Sequence, residues 1–212
     1  MTVSLVWATP DADRLVAYMA RVSAPQNQNN DATAPRLIGY LIRHRHWSPF
    51  EMVNLCVEVD TTRDIARQLL RHRSFTFQEF SQRYADVGDL PPAPFREARL
   101  KHPTNRQASV PTTDEVLAAW WKNAQDDVRA AAETAYQIAL EYGIAKEVAR
   151  AVLPEGLTMS RLYMNGSLRS WLHFCDLRRG PETQKETRDV AEAAWAVLRQ
   201  ACPAICEAWE AA

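Results

Sequence analysis

Residues 53–73 read VNLCVEVDTTRDIARQLLRHR, and the spacing of apolar residues changes part-way along. Up to Asp60 it alternates: Val53, Leu55, Val57 and Val59 fall on one face, Asn54, Glu58 and Asp60 on the other. A period of two predicts a strand with one face buried. From Thr62 the spacing becomes helical. Thr62 and Asp64 mark the start, Ile65, Ala66, Leu69 and Leu70 form one stripe, and the helix is predicted to run to about Arg73. A half-buried strand passing into an amphipathic helix, among further helical stretches, predicts an α+β fold. We expect a helix-rich single domain around a small, mainly antiparallel or mixed sheet.

Upstream, Pro49 is predicted to end a helix that Thr33 caps and that carries Leu37, Ile38, Leu41 and Ile42. Before it lie a polar loop (Gln26 to Asp31), a helix from Asp11 to Val22 with Leu15, Val16, Met19 and Ala20 on one side, and a short strand from Val3 to Trp7. Downstream, Ala85 to Thr112 holds Pro91, Pro92, Pro94, Pro103 and Pro111 and shows no period, so residues 85–112 read as a mobile or functional loop. A long helix then spans Asp114 to Tyr142 and closes at Gly143. A shorter one from Ala145 to Leu153 stops at Pro154, and Thr158 to Met164 reads as a strand. Ser167 to Arg179 is predicted helical up to Gly180. Glu182 to Cys202 is a last helix with Val190, Ala194, Trp195 and Leu198 inward, broken at Pro203. No repeat or linker divides the chain, so residues 1–212 are expected to form one domain.

Composition narrows the function. With 47% hydrophobic and 24% charged residues among 212, the chain is neither disordered nor collagen-like. No apolar run approaches the ~18 residues of a membrane span, and Met1 to Pro10 has no signal-peptide pattern. A formal charge of −1 argues against a nucleic-acid coat or a polybasic membrane anchor, so neither nucleic acid nor membrane is expected as a partner. Cys56, Cys175, Cys202 and Cys206 are scattered without a CxxC pair, which fits a reducing cytoplasm. The 25 basic residues comprise 21 Arg and only 4 Lys, a bias that base composition or recognition of phosphates and carboxylates would each explain.

The densest chemistry lies in residues 68–84, QLLRHRSFTFQEFSQRY. On a helix, Gln68 and Arg71 share a face, while Arg71 and Arg73 point to nearly opposite sides of its end. One cation each way suits two anionic ligands or two neighbouring subunits. His72, between them, is expected to stay neutral. Beyond the helix Glu79, Ser81 and Arg83 are spaced by two and would project from one side of an extended segment. The bland alternative is a solvated, Arg-rich helix end. A second cluster is HWSPFE, residues 46–51, where Ser48 can donate to a phosphate and Trp47 or Phe50 can pack a flat ring. His44 and His46 lack an HExxH pattern or a cysteine partner, so no metal site is expected. The third is RSWLHFCDLR, residues 169–178, with Arg169 and His173 on one helix face and Arg178 near its end. Cys175 sits in an apolar row without an adjacent base and reads as a buried structural thiol.

Together these segments resemble the flavin-dependent thymidylate synthases. The signature of that family is Arg-His-Arg, seven residues, then Ser, here Arg71-His72-Arg73 and Ser81, followed by Gln82-Arg83-Tyr84. ARVS at 20–23, SPFE at 48–51, EVAR-x-VLP at 147–154 and LRSW…LR at 168–178 follow in family order. The resemblance implies methylation of dUMP to dTMP, with methylenetetrahydrofolate as carbon donor and FAD, reduced by NADPH, as hydride source. It implies a homotetramer with flavins where subunits meet, and a cofactor that removes the need for an activated cysteine. By position, FAD would meet Ser48, Arg71, His72, Arg73, Glu79, Ser167, Leu168, Arg169 and His173. The nucleotide would meet Gln68, Leu69, Leu70, Arg71, Glu79, Phe80, Ser81, Gln82, Arg83, Arg150 and Arg178. Arg178 matches the catalytic arginine that activates the uracil. Thr76, Gln78, Met52 and Ser167 depart from residues common in the family. A noncatalytic nucleic-acid-binding module, stacking bases on Trp47, Phe75 and Phe77, is the rival, and near-neutral charge counts against it.

Overall fold

The alternating segment forms strand β2 (Asn54–Thr62), the second strand of a four-stranded antiparallel sheet. The computed structural model describes residues 1–212. Strand β1 (Thr2–Ala8) pairs with β2 on one side, with a bulge between Leu5 and Trp7. Strand β6 (Met159–Ser167) pairs on the other, in a register that sets Leu55 against Gly166 and Val57 against Met164. Strand β3 (Thr76–Glu79) adds to the far edge of β6, giving the order β1-β2-β6-β3. The sheet bears out the α+β expectation, with every pairing antiparallel. Val53, Leu55, Val57 and Val59 are all buried, as their alternation requires.

Helices α1 (Ala12–Ala20) and α2 (Ala34–Arg43) precede β2, and α3 (Arg63–Leu69) follows it directly. Beyond β3 come strands β4 (Arg99–Lys101) and β5 (Ser109–Pro111), then α4 (Glu115–Glu141) and α5 (Lys146–Ala149). Helix α6 (Leu168–Arg178) continues from β6, and α7 (Lys185–Ala201) and α8 (Pro203–Glu210) complete the order. The core joins the sheet to α6 and α7. Trp171, Leu172 and Cys175 lie against Val190, Ala191, Ala194 and Leu198, all buried. The buried Trp171 indole N–H is satisfied by the Leu55 carbonyl at 3.1 Å, so the bulkiest core side chain also ties α6 to β2.

Several expectations are corrected. Thr33 occupies the N-cap of α2, but its hydroxyl accepts from Arg21 Nη2 at 2.8 Å instead of capping the helix. Helix α2 ends at Arg43, well before Pro49; Arg45 takes φ 57° and turns the chain, and Pro49 opens a 3-10 turn, Ser48–Met52. Helix α3 stops at Leu69, so Arg71 and Arg73 lie in a turn and not on a helix. The reason is downstream: Thr76 must pair with Asn165, and Phe75 must reach the floor of Gly166, where a Cβ would lie 2.5 Å from its ring. A helix running to Arg73 would leave two residues for that reversal. Strand β3 likewise ends at Glu79, and residues 81–85 turn back on the Ser81 carbonyl, so Glu79, Ser81 and Arg83 do not share one extended edge. Residues 85–112 contain the β4–β5 hairpin, tied to α7 through Arg99 and Glu186 at 2.6 Å. Pro203 breaks α7 but starts α8, where a proline without N–H fits the first turn.

Candidate active site

Strand β6 runs into α6 through Ser167, whose hydroxyl accepts from the Ser170 N–H at 3.4 Å as an N-cap. The Leu168 N–H donates to the Val53 carbonyl at 2.7 Å, fixing where the helix leaves the sheet. Beside this junction lies a cleft of about 590 Å³ whose ten lining residues include no hydrophobic one. Ser167, Arg169 and His173 line it with Glu51, Asn54, Ser74, Thr76 and Asn165. Three of the nine residues expected to meet the cofactor are therefore in one cavity.

Glu51 organises that cavity. Its carboxylate accepts from Ser167 Oγ at 2.5 Å and Arg169 Nη1 at 2.7 Å. Those two hydrogen bonds, the serine's first, hold its carboxyl below the usual range. Glu51 belongs to the Ser48–Met52 turn, which brings Ser48 to the same neighbourhood with an exposed side chain. The His173 ring meets Trp47 edge-on at 4.9 Å between centroids. Burial, then Arg169, lowers its pKa, against the pull of Asp176 and Glu51. The Asn165 Oδ1 is buried and accepts no hydrogen bond, an acceptor in want of an N–H or O–H donor.

The 71–73 turn meets the end of α6. Arg178 Nε donates to His72 Nε2 at 2.9 Å, the single side-chain hydrogen bond of that guanidinium. Burial, then Arg178, pushes the His72 pKa down to about 4, so the ring is neutral at pH 7 and its proton sits on Nδ1. Gln68, at the end of α3 beside the buried Leu69 and half-buried Leu70, donates to Gln184 Oε1 and accepts from Thr187 Oγ1, both at 2.8 Å. Glu79 accepts from Ser160 Oγ at 2.8 Å, and the Phe80 N–H donates to the Arg161 carbonyl. Gln82 is buried with its Nε2 unpartnered. Lys146 of α5 donates to the Tyr84 carbonyl at 3.3 Å, linking the helix before Arg150 to the turn after Ser81.

Ion pairing does not by itself set the expected arginines apart, since Arg14, Arg21, Arg36, Arg43, Arg45, Arg106 and Arg188 also lack a carboxylate partner. Arg71, Arg73, Arg83, Arg150 and Arg178 form no salt bridge, and Arg169, paired with Glu51, is the exception among the six. Arg71, Arg73 and Arg83 are exposed; Arg150 donates only to the Glu147 carbonyl, at 3.3 Å. Unpaired guanidiniums suit anionic partners. None of these five lines the polar cleft of the single chain. Arg73 and Arg83 make no side-chain hydrogen bond that would join them to it. Glu51 and Asn165 line the cleft and Gln184 and Thr187 bond Gln68; of these four only Glu51 carries a sequence signal, its place in SPFE. No cluster of His, Cys, Asp or Glu is arranged to hold a metal ion. All four thiols are free and buried, and burial raises the pKa of Cys175.

A family model described as thymidylate synthase complementing protein matches residues 4–204. A probable flavin-dependent thymidylate synthase of Paramecium bursaria Chlorella virus 1 is 45% identical over 98% of this chain and 95% of its own length. A flavin-dependent thymidylate synthase of Synechocystis sp. is 45% identical over 92% of this chain and 88% of its own. Among solved structures, the UMP/dUMP methylase PolB of Streptomyces cacaoi, bound with 5-Br dUMP, superimposes with a TM-score of 0.85. It is 33% identical and covers 99% of this chain and 94% of its own.

Proposed function

The chain belongs to the flavin-dependent thymidylate synthase family, and from that premise we propose the substrates, the residues that hold them and the assembly in which they work. It is a methyltransferase that forms thymidylate with a flavin. The proposed reaction is reductive methylation of dUMP to dTMP, with 5,10-methylenetetrahydrofolate giving the carbon and NADPH the electrons. The bound FAD supplies hydride transfer, chemistry that no side chain offers.

The residues present suit a flavin dinucleotide. No hydrophobic residue lines the cleft, and the buried Asn165 Oδ1 asks for a donor such as a ring N–H or an amino group. Ser48, Arg71, His72, Arg73, Glu79, Ser167, Leu168, Arg169 and His173 would hold it. Gln68, the backbone at Leu69 and Leu70, Arg71, Glu79, Phe80, Ser81, Gln82, Arg83, Arg150 and Arg178 would hold dUMP, and the buried Gln82 Nε2 has a hydrogen bond to give. Arg178 is the proposed catalytic residue. His72 takes only its Nε, so both terminal nitrogens can face the uracil. A guanidinium fixed there stabilises the ionised ring and pushes electron density toward C5, the carbon that must take the methylene. Preorganisation matters because the cation need not reorient as charge develops. Ser81 has a hydroxyl but no base beside it, and serves to position the nucleotide.

The observation that carries the assignment is Arg178, held at Nε by the neutral His72 with both terminal nitrogens left for a ligand. Arg71, Arg73, Arg83 and Arg150 stand outside the cleft of one chain, and a homotetramer with flavins at subunit junctions would bring them to a partner's cleft. We read residues 1–212 as one domain of that assembly, working in the cytoplasm. The test is thymidylate formation with dUMP, methylenetetrahydrofolate, FAD and NADPH, omitting each in turn. Product should require all four, and purified protein should be yellow or take up FAD stoichiometrically. Colourless protein that binds single-stranded nucleic acid with a steep salt slope would overturn the assignment.

A further inference from the structure

Five polar side chains form an unbroken line that starts at the β4–β5 hairpin, passes Gln68 at the end of α3 and closes on Thr187 of α7. Arg99 Nη2 donates to Glu186 Oε1 at 2.6 Å, and Gln184 Nε2 donates to Glu186 Oε2 at 2.9 Å. Gln68 Nε2 donates to Gln184 Oε1, and Thr187 Oγ1 donates to Gln68 Oε1, both at 2.8 Å. Glu186 is 5% exposed and Thr187 is fully buried. Burial would raise the Glu186 pKa, but the bonds from Gln184 and Arg99 outweigh it and hold the carboxyl below its ordinary value.

The direction of this line follows from one charge. An ionised carboxylate only accepts hydrogen bonds. Gln184 must therefore turn its NH₂ toward Glu186, which leaves its carbonyl for Gln68. Gln68 must in turn give its NH₂ to Gln184 and its carbonyl to the Thr187 hydroxyl. Reversing either amide would set donor against donor or acceptor against acceptor, in a place where Thr187 and Glu186 have no water to turn to. An isolated glutamine amide has two nearly isosteric orientations; this one has a single orientation dictated from a distance.

We propose that Gln184, Glu186 and Thr187 are positioning residues that fix the amide of Gln68, so that it presents its second N–H and second lone pair to the pyrimidine nucleotide in one pattern only. The inference rests on the assignment of Gln68 to the nucleotide site. Its discriminating feature is directional: Glu186 affects nucleotide recognition only through Gln68. Glu186→Gln removes the charge that imposes the polarity while keeping size and hydrogen-bonding capacity.

The experiment is calorimetric titration of flavin-loaded enzyme with dUMP, for wild type, Gln68→Ala, Glu186→Gln and the double variant. Each single substitution should raise Kd about 5- to 10-fold, the scale of one well-placed hydrogen bond. The double variant should bind no more weakly than Gln68→Ala alone. Multiplied effects in the double variant would overturn the relay while leaving Gln68 at the nucleotide. An unchanged Kd in Gln68→Ala would remove both the relay and that contact, and failure of wild type to bind dUMP would remove the proposed function with them. If Glu186→Gln does not fold, Thr187→Val enters the same cycle, with Thr187→Ser expected to restore the wild-type Kd. A Thr187→Val variant that binds dUMP normally would equally overturn the relay.

Discussion

Arg178 spends one N–H on His72 and keeps the others. Arg178→Ala should lower thymidylate formation by about 10²-fold or more, the usual loss of a preorganised charge-stabilising group, while bound flavin and its visible absorbance persist. Unchanged turnover would take Arg178 out of the chemistry. His72 carries a pH signature of its own. Its folded pKa of about 4 lies below the model-peptide value of 6.5. Between those values the unfolded chain binds a proton that the native chain refuses, so stability rises with pH across that window. His72→Gln should flatten this part of the curve in urea unfolding followed from pH 4 to 7; an unaltered slope would show that the ring titrates normally. At this scale the sequence was partly legible. The sequence points to a neutral His72, yet the neighbour that helps keep it neutral, Arg178, lies 106 residues away. Glu51, Gln184 and Thr187 escaped because a polar residue acquires its role from partners that only the fold supplies.

Elements with a clean period are legible in the sequence. Strand β2, α4 with its Asp114 cap and Gly143 terminus, and α6 with its Ser167 cap all follow from local signals. Elements set by distant partners are not. The end of α3 is dictated by the pairing of Thr76 with Asn165, and the β4–β5 hairpin is too short for alternation to show among its prolines. Helix α8 is hidden in the sequence because Pro203 reads as a stop, whereas its N-terminal N–H groups are capped from far away. Asp13 of α1 accepts from Ala204 N at 3.0 Å and Ile205 N at 3.1 Å. Asp13→Ala should therefore cost about 1 kcal/mol of stability in denaturant titration, the ordinary value of a helix cap, despite lying 191 residues from the helix it serves. A loss indistinguishable from zero would mean that water replaces the carboxylate at no cost.

At the scale of the molecule, the fold class was legible because the strand and helix periods are strong, but the completeness of the site was not. One chain gathers Ser167, Arg169 and His173 in a cleft and leaves Arg71, Arg73, Arg83 and Arg150 outside it. Light scattering should accordingly give about four times the 24.1 kDa chain mass, and substitution of Arg73 should weaken flavin binding without changing that mass. A monomer with full activity would overturn the tetrameric assignment.

The capping of α8 by Asp13 also bears on how the protein is made. Residues 203–210 close over a helix synthesised among the first twenty residues, and β2 waits for β6 before its second edge is covered. The chain must therefore be made as far as α8 before the core can shut. Until β6 is made, one edge of β2 stays unpaired, and an open strand edge of that kind invites aggregation.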